Sequence, residues 1–181
     1  GQYVSVRFTY YGARAIYIRD SYSGSNEDII VDGVQIGTVG GMGISVKTRG
    51  RGIAVVNSAL TALPGRPHSA NYDGIHMAAA GGDVLIRGNT LAHTGDDLIN
   101  LRSLIHKVTP TGMDSATLTN DARLIRVGDE VAFFNKEGEY LSRRIVRQAP
   151  PVGHSDVITF DFQPGEPFTE AAYARVINLT A

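Results

Sequence analysis

Two short segments carry the residues best suited to chemistry. One is Asn71-Tyr72-Asp73-Gly74-Ile75-His76-Met77, and the other is Thr94-Gly95-Asp96-Asp97-Leu98-Ile99-Asn100-Leu101. Each places carboxylate just before a short run of alternating apolar residues. Asp73 and Asp97 are 24 residues apart, as are Ile75 and Ile99. If 24 residues make one turn of a coil, the two segments stack as neighbouring strands, with Cα atoms ~4.8 Å apart. Asp73, Asp96 and Asp97 then gather on one outer surface. His76 and Asn100 fall level with each other between inward apolar flanks, so both are expected to face outward. Tyr72, His93 and Arg102 complete the rim as substrate-binding candidates.

Three carboxylates in close company repel one another and cannot all ionise freely, which leaves a proton available near neutral pH. That suits glycoside hydrolysis, in which one acid protonates the leaving oxygen while another carboxylate activates water or attacks the sugar. Inverting sites hold their carboxyls ~6.5–9.5 Å apart and retaining sites ~5–5.5 Å, and side-chain splay allows either. Asp73-Gly74 by itself is an ordinary turn pair, because Asp tolerates left-handed backbone and bonds its own chain. Asp96-Asp97 has no such explanation, since adjacent acids at a corner repel without structural gain.

Other polar residues carry less. Arg49-Gly50-Arg51-Gly52 reads as a solvated turn, with contact to an anionic sugar as the alternative. Tyr10, Tyr11 and Tyr17 could stack on sugars, but such residues are more often half-buried in a sheet, and the lack of tryptophan counts mildly against a sugar-stacking platform. Gly40-Gly41-Met42-Gly43 has no helix after it and so is no phosphate loop. His68, His106 and His154 fall in different segments and form no metal site. No metal or cofactor is expected.

The elements that must position the acids repeat. One kind of strand recurs as Val4–Phe8, Ile29–Val31, Ile53–Val56 and Val84–Ile86. A second kind alternates with it: Ile16–Ile18, Ile44–Val46, Ile75–Met77 and Ile99–Leu101. The step from Ile29 to Ile53 is 24 residues, and the step from Ile53 to Val84 is 31, lengthened by the loop-like Pro64–Ser69. A constant period with strands and turns predicts an all-β solenoid, a partial right-handed parallel β-helix over residues 1–102. A β-sandwich would not require the constant period. Gly-Asn, Asp-Gly and Gly-Gly pairs supply corners that need positive φ. Four coils are few, so the solenoid ends are expected to be covered by further coils or by another copy of the chain.

After Arg102-Ser103 the rhythm stops. Strands are predicted at Leu104–Val108, Ala116–Leu118, Leu124–Val127, Glu130–Phe134, Arg143–Val146 and Val157–Phe160, separated by close turns. They suggest a small antiparallel β-barrel inserted at 103–175. Residues 176–181, which overlap the strand-like Ala174–Leu179, are expected to return toward the β-helix. Thr169–Arg175 is the one helical candidate.

Composition sets the outer bounds. The 181 residues suit one domain or two small ones, and 43% apolar content supports a packed core. A net charge of −1 with scattered basic residues argues against a nucleic-acid or membrane-surface partner. No apolar run reaches the ~20 residues of a membrane span. With no cysteine, disulfides and thiolate metal sites are excluded.

The acidic segments resemble those of β-helical glycoside hydrolases. Asn71-Tyr72-Asp73-Gly74 followed by Gly95-Asp96-Asp97 is similar to the polygalacturonase pattern, in which three aspartates carry inverting hydrolysis. That family's Gly-His-Gly and Arg-Ile-Lys segments are absent. The layout also resembles the β-helical exo-acting α-1,3-galactosidases. They have an Asp-x-Ile-His strand, then an Asp-Asp-x-x-Asn strand, then a small barrel interrupting the helix. Here the matching residues are Asp73-Gly74-Ile75-His76, Asp96-Asp97-Leu98-Ile99-Asn100 and Gly128-Asp129-Glu130-Val131. The His-Gly that usually follows the Asn strand is replaced by Arg102-Ser103. The resemblance implies that Asp73, Asp96 and Asp97 are catalytic and that His76 and Asn100 bind substrate. The expected activity is polysaccharide degradation by a hydrolase on an oligo- or polysaccharide, in a secreted or periplasmic location. Rivals are a lyase using the acids to hold Ca²⁺ with a Lys or Arg as base, a β-helix epimerase, and a non-catalytic sugar-binding or adhesion β-helix.

Overall fold

The computed structural model describes residues 10, 12–20, 26–119, 124–149, 157–161 and 174–180. The predicted strand at 4–8, most of the helical candidate at 169–175, Tyr11 and His154 lie outside them. The chain divides into two compact units, Gly1–Arg102 and Ser103–Ala181. Among the described residues no helix is long and apolar enough to cross a membrane.

The first unit is a parallel β-helix of about three turns. Its principal sheet stacks β1 (Arg14–Arg19), β4 (Met42–Lys47), β7 (Ile75–Ala78) and β10 (Ile99–Arg102) in that order, all parallel. A second sheet stacks β2 (Ile30–Asp32), β5 (Ile53–Val56) and β8 (Val84–Arg87). The third stacks the two-residue strands β3 (Gln35–Ile36), β6 (Ala59–Leu60) and β9 (Thr90–Leu91). The sequence pattern shows only the first two kinds of strand, because two residues are too few to display alternation.

Like residues lie over like residues. Ile16, Ile44, Ile75 and Ile99 align in one column, and Ile18, Val46, Met77 and Leu101 in the next, with Ile99 and Leu101 exposed on the last rung. Ile44, Val46, Ile53, Val55, Leu60 and Ile75 are wholly buried, so the core runs along the coil axis. Each buried large aliphatic side chain contributes roughly 1.5–3 kcal/mol to folding. β8, β9 and β10 pair on one side only.

Two corners repeat their backbone strain in register. Asp28, Gly52 and Asp83 all have positive φ, as do Gly33, Asn57 and Gly88. Asn57 steadies its corner by donating to Asp32 Oδ1 at 3.0 Å, and Asn89 does the same at the next by donating to the Val55 carbonyl at 2.8 Å. The 31-residue coil absorbs Pro64–Ser69 and regains register at once, because Val39, Ala70 and Thr94 bridge in line.

The second unit is a closed antiparallel barrel, ordered β11-β12-β15-β14-β13-β16. These strands are β11 (Ile105–Pro110), β12 (Ser115–Leu118), β13 (Glu130–Phe134), β14 (Tyr140–Gln148), β15 (Val157–Phe160) and β16 (Arg175–Asn178). Val108, Val131, Phe133, Val146, Ile158 and Phe160 fill it, with Phe133 and Phe160 edge-to-face at 5.0 Å. Two expectations are corrected. Leu124–Val127 is not a strand, because its Arg126 N–H is turned to the buried Asp129 carboxylate at 2.8 Å. Residues 176–178, expected to lead back toward the helix, lie instead in β16, which pairs with β11 and β13 and closes the barrel. Asn178 on that strand donates to Asp129 at 2.7 Å. His106 is buried in this unit, bonded to the Thr119 carbonyl.

Close stacking of coils constrains Gly74. It has no positive φ, but a Cβ there would stand 2.7 Å from the Leu98 carbonyl oxygen and 3.2 Å from Thr94. The turn role expected of Asp73-Gly74 is therefore replaced by a need for close backbone approach. Gly74→Ala should destabilise the protein by ~1–3 kcal/mol, the usual cost of overpacking. A urea midpoint unchanged from the parent would contradict this.

Candidate functional site

The acids sit where β7 and β10 begin. In-register pairing places Asn100 beside His76 and Ile99 beside Ile75. The ladder extends into the preceding corner: Gly74 N–H donates to the Asp97 carbonyl at 2.9 Å, and Ile75 N–H to the Leu98 carbonyl at 3.0 Å. Asp73 and Asp97 thus occupy equivalent places on successive coils. One carboxylate oxygen from each of Asp73, Asp96 and Asp97 lies within 4.8 Å of those of the other two.

Each coil fixes its own acid by the same local device. His76 Nδ1 lies 2.5 Å from Asp73 Oδ2, and Asn100 Nδ2 donates to Asp97 Oδ2 at 3.0 Å. Both bonds span three residues from corner to strand. The same offset recurs on β1, where the Arg14 guanidinium lies 4.2 Å over the Tyr17 ring. Thr94 helps to shape the acidic corner by donating its hydroxyl to the Asp96 carbonyl at 2.8 Å.

The expected exposed plate is corrected on one side. Asp96 and Asp97 are exposed and Asn100 is half-buried, but Asp73 and His76 are only 4% and 7% exposed. His76 does point away from the apolar interior. It is covered because Ser45 and Asn100 stand on the adjacent strands and its ring curls back onto Asp73. The cluster therefore has a buried floor, Asp73 with His76, and an exposed lip, Asp96 with Asp97.

The remaining candidates separate. Arg102 is exposed and lines a cleft of about 110 Å³ together with His76. Tyr72 is half-buried, and its N–H donates to the Gly41 carbonyl at 3.2 Å. His93 serves the backbone: its φ is +62°, and its carbonyl accepts from Ser69 N–H at 2.9 Å. Its side chain makes no hydrogen bond or ion pair among the described residues.

Sequence inspection misses Arg14, Ser45 and Lys47, which line the same cleft. Their signal is positional. Ser45 aligns with His76 and Lys47 with Ala78, across a 31-residue step that the Pro64–Ser69 loop disguises. Compared with known proteins, the chain matches no family model, and no curated protein matches its sequence.

Burial of the Asp73–His76 pair has an energetic consequence. A buried carboxylate deprived of its partner keeps its desolvation cost, ~1–3 kcal/mol or more. His76→Ala should lower unfolding free energy by that amount, and Asp73→Asn in the same chain should recover part of it. Additive losses in a denaturant-melted double-mutant cycle would show that the two side chains do not interact.

Proposed function

We propose that this protein is a glycoside hydrolase acting on an oligo- or polysaccharide, with Asp73, Asp96 and Asp97 as its catalytic groups. The observation that carries the proposal is the convergence of three carboxylates within 4.8 Å, two of them held by side-chain partners on the β-strands. A corner built only for backbone turning has no need of three acids at one point, and their mutual repulsion costs stability.

Exposure supports a division of roles. Asp97 is exposed and Asn100 holds its Oδ2, which suits it to deliver a proton to the glycosidic oxygen from Oδ1. As that proton moves, the bond from the anomeric carbon to the leaving oxygen breaks. Asp73, fixed from below by His76, and Asp96 orient a water molecule. The water's oxygen bonds to the anomeric carbon, and its proton passes to these carboxylates. One oxygen of each acid lies within 4.8 Å of one oxygen of the others, a closest approach compatible with the ~5–5.5 Å of retaining pairs and, after side-chain splay, with the ~6.5–9.5 Å of inverting pairs. With three acids, two share the water and one supplies the proton, and inversion is the outcome implied by the resembled families. A polysaccharide substrate fits a secreted or periplasmic setting.

A second reading is supported by the same short distance. Oxygens 2.3–2.6 Å from a common Ca²⁺ lie up to ~5 Å apart, so the three acids also suit a calcium-bound lyase site with Lys47 or Arg102 nearby as base.

Asp97→Asn and Asp73→Asn should each lower turnover on a cleaved oligosaccharide by about 10²–10⁴-fold, with far-UV dichroism unchanged. Proton NMR of the first product should show the inverted anomer, with activity insensitive to chelator. Chelator-sensitive formation of an unsaturated product would establish the lyase. Binding without any product from galactan, galacturonan or their oligomers would leave a sugar-binding β-helix.

A further inference from the structure

The buried half of the acid cluster has a neighbour that glycoside chemistry does not use. Parallel pairing sets Ser45 of β4 level with His76 of β7 on the same sheet face, one strand spacing away, ~4.8 Å between Cα atoms. His76 Nδ1 lies 2.5 Å from Asp73 Oδ2. An ionised carboxylate only accepts hydrogen bonds, so Nδ1 carries the hydrogen and Nε2 of the neutral ring keeps its lone pair. An acid thus orients a base, and a hydroxyl stands beside that base. These are the parts of an activated serine, which is recognised by geometry and not by sequence order.

Ser45 also differs from the other buried hydroxyls of this unit. Thr48 donates to Asp20 Oδ1, Ser58 to the Val56 carbonyl at 2.9 Å, and Ser69 to the Ala92 carbonyl at 2.7 Å. Ser45 is 4% exposed, and its side chain makes no hydrogen bond among the described residues. A buried hydroxyl left without a partner costs stability, so a structural filler at 45 would be better as alanine. Ser45 and His76 line the same cleft of about 110 Å³, and Arg102 lines it with them. Rotation about χ1 of Ser45 brings its hydroxyl toward the imidazole, and catalytic hydrogen bonds commonly tighten only once substrate is bound.

We propose that Ser45, His76 and Asp73 form a second catalytic centre, an esterase that removes small acyl groups from sugar hydroxyls. Ser45 Oγ bonds to the ester carbonyl carbon as its proton passes to His76 Nε2. The carbonyl electron pair moves onto oxygen, where the Arg102 guanidinium stabilises the negative charge. The intermediate collapses, the bond from carbon to the alcohol oxygen breaks, and that oxygen takes the proton from Nε2. Water then attacks the acyl-serine in the same way, which releases the carboxylic acid and restores Ser45. Asp73 keeps the ring in one tautomer throughout. That the alcohol is a sugar rests on the glycoside reading above, whereas the ester chemistry does not.

The test uses the full chain and reagents without a glycosidic bond. A fluorophosphonate, which loses fluoride to an activated serine, should leave one adduct in the intact mass, mapped by peptide sequencing to Ser45. p-Nitrophenyl acetate should be hydrolysed above the buffer rate and faster than p-nitrophenyl octanoate, whose chain is too long for the cleft. Ser45→Ala should abolish both adduct and turnover, and His76→Gln should lower turnover by about 10²–10⁴-fold. The adduct is mapped in the unaltered chain, so that result does not depend on a variant folding. No adduct at Ser45, or unchanged acetate-ester turnover in Ser45→Ala, overturns the esterase and leaves the glycoside reading standing. Acetate released from an acetylated oligosaccharide supports the sugar ester, and an adduct without that release overturns the sugar as the alcohol.

Discussion

Backbone pairing between successive parallel coils is the constraint on which every other feature depends. A parallel ladder repeats each position one strand spacing above the last. In this chain it stacks Ile44, Ile75 and Ile99 on one face, the first two in the core and Ile99 exposed at the last rung, and Ser45, His76 and Asn100 on the other. A slip of one residue would exchange the two sets and put histidine and asparagine in the core. The wholly buried Ile44 and Ile75 resist that slip, and so does the ladder's continuation through Gly74 into the acidic corner. Hydrophobic register thereby fixes where the carboxylates stand, although none of them contributes to the core.

The site combines opposite demands. Three acids within 4.8 Å repel one another, and folding must offset that repulsion. It does so locally, with His76 bonded to Asp73 and Asn100 bonded to Asp97 on adjacent coils. These bonds orient the carboxylates as well as hold them, since each ties Oδ2 and leaves Oδ1. On the same sheet face, Lys47 and Arg102 stand at the other end of the strands.

Much of this was legible in the sequence, and what was not has physical causes. The 24-residue spacing of Asp73 and Asp97 is visible because apolar alternation marks β7 and β10 on both sides of a corner. Ile30, Ala54 and Leu85 pair in their sheet despite unequal steps, since an inserted loop lengthens a coil without shifting its strands. The burial of His76 was hidden, because outward direction does not imply exposure when both neighbouring strands are occupied. The alignment of Lys47 with Arg102 was hidden for a related reason: the two are 55 residues apart and are brought into line only through Ala78 on the strand between them. β16 misled because a strand's apolar pattern does not name its partner, and Asn178 finds Asp129 in the barrel rather than a place on a coil.

The stacked register of the two acidic corners can be measured directly, because the chain has no cysteine of its own. Asp73→Cys and Asp97→Cys together should place two thiols on Cα atoms ~4.8 Å apart, within the range a disulfide spans. Mild oxidation of the folded double variant should close that bridge nearly completely, while the off-register pair Asp73→Cys with Arg102→Cys should stay reduced. A bridge in the off-register pair, or free thiols in the first, would contradict the alignment on which the acid cluster stands.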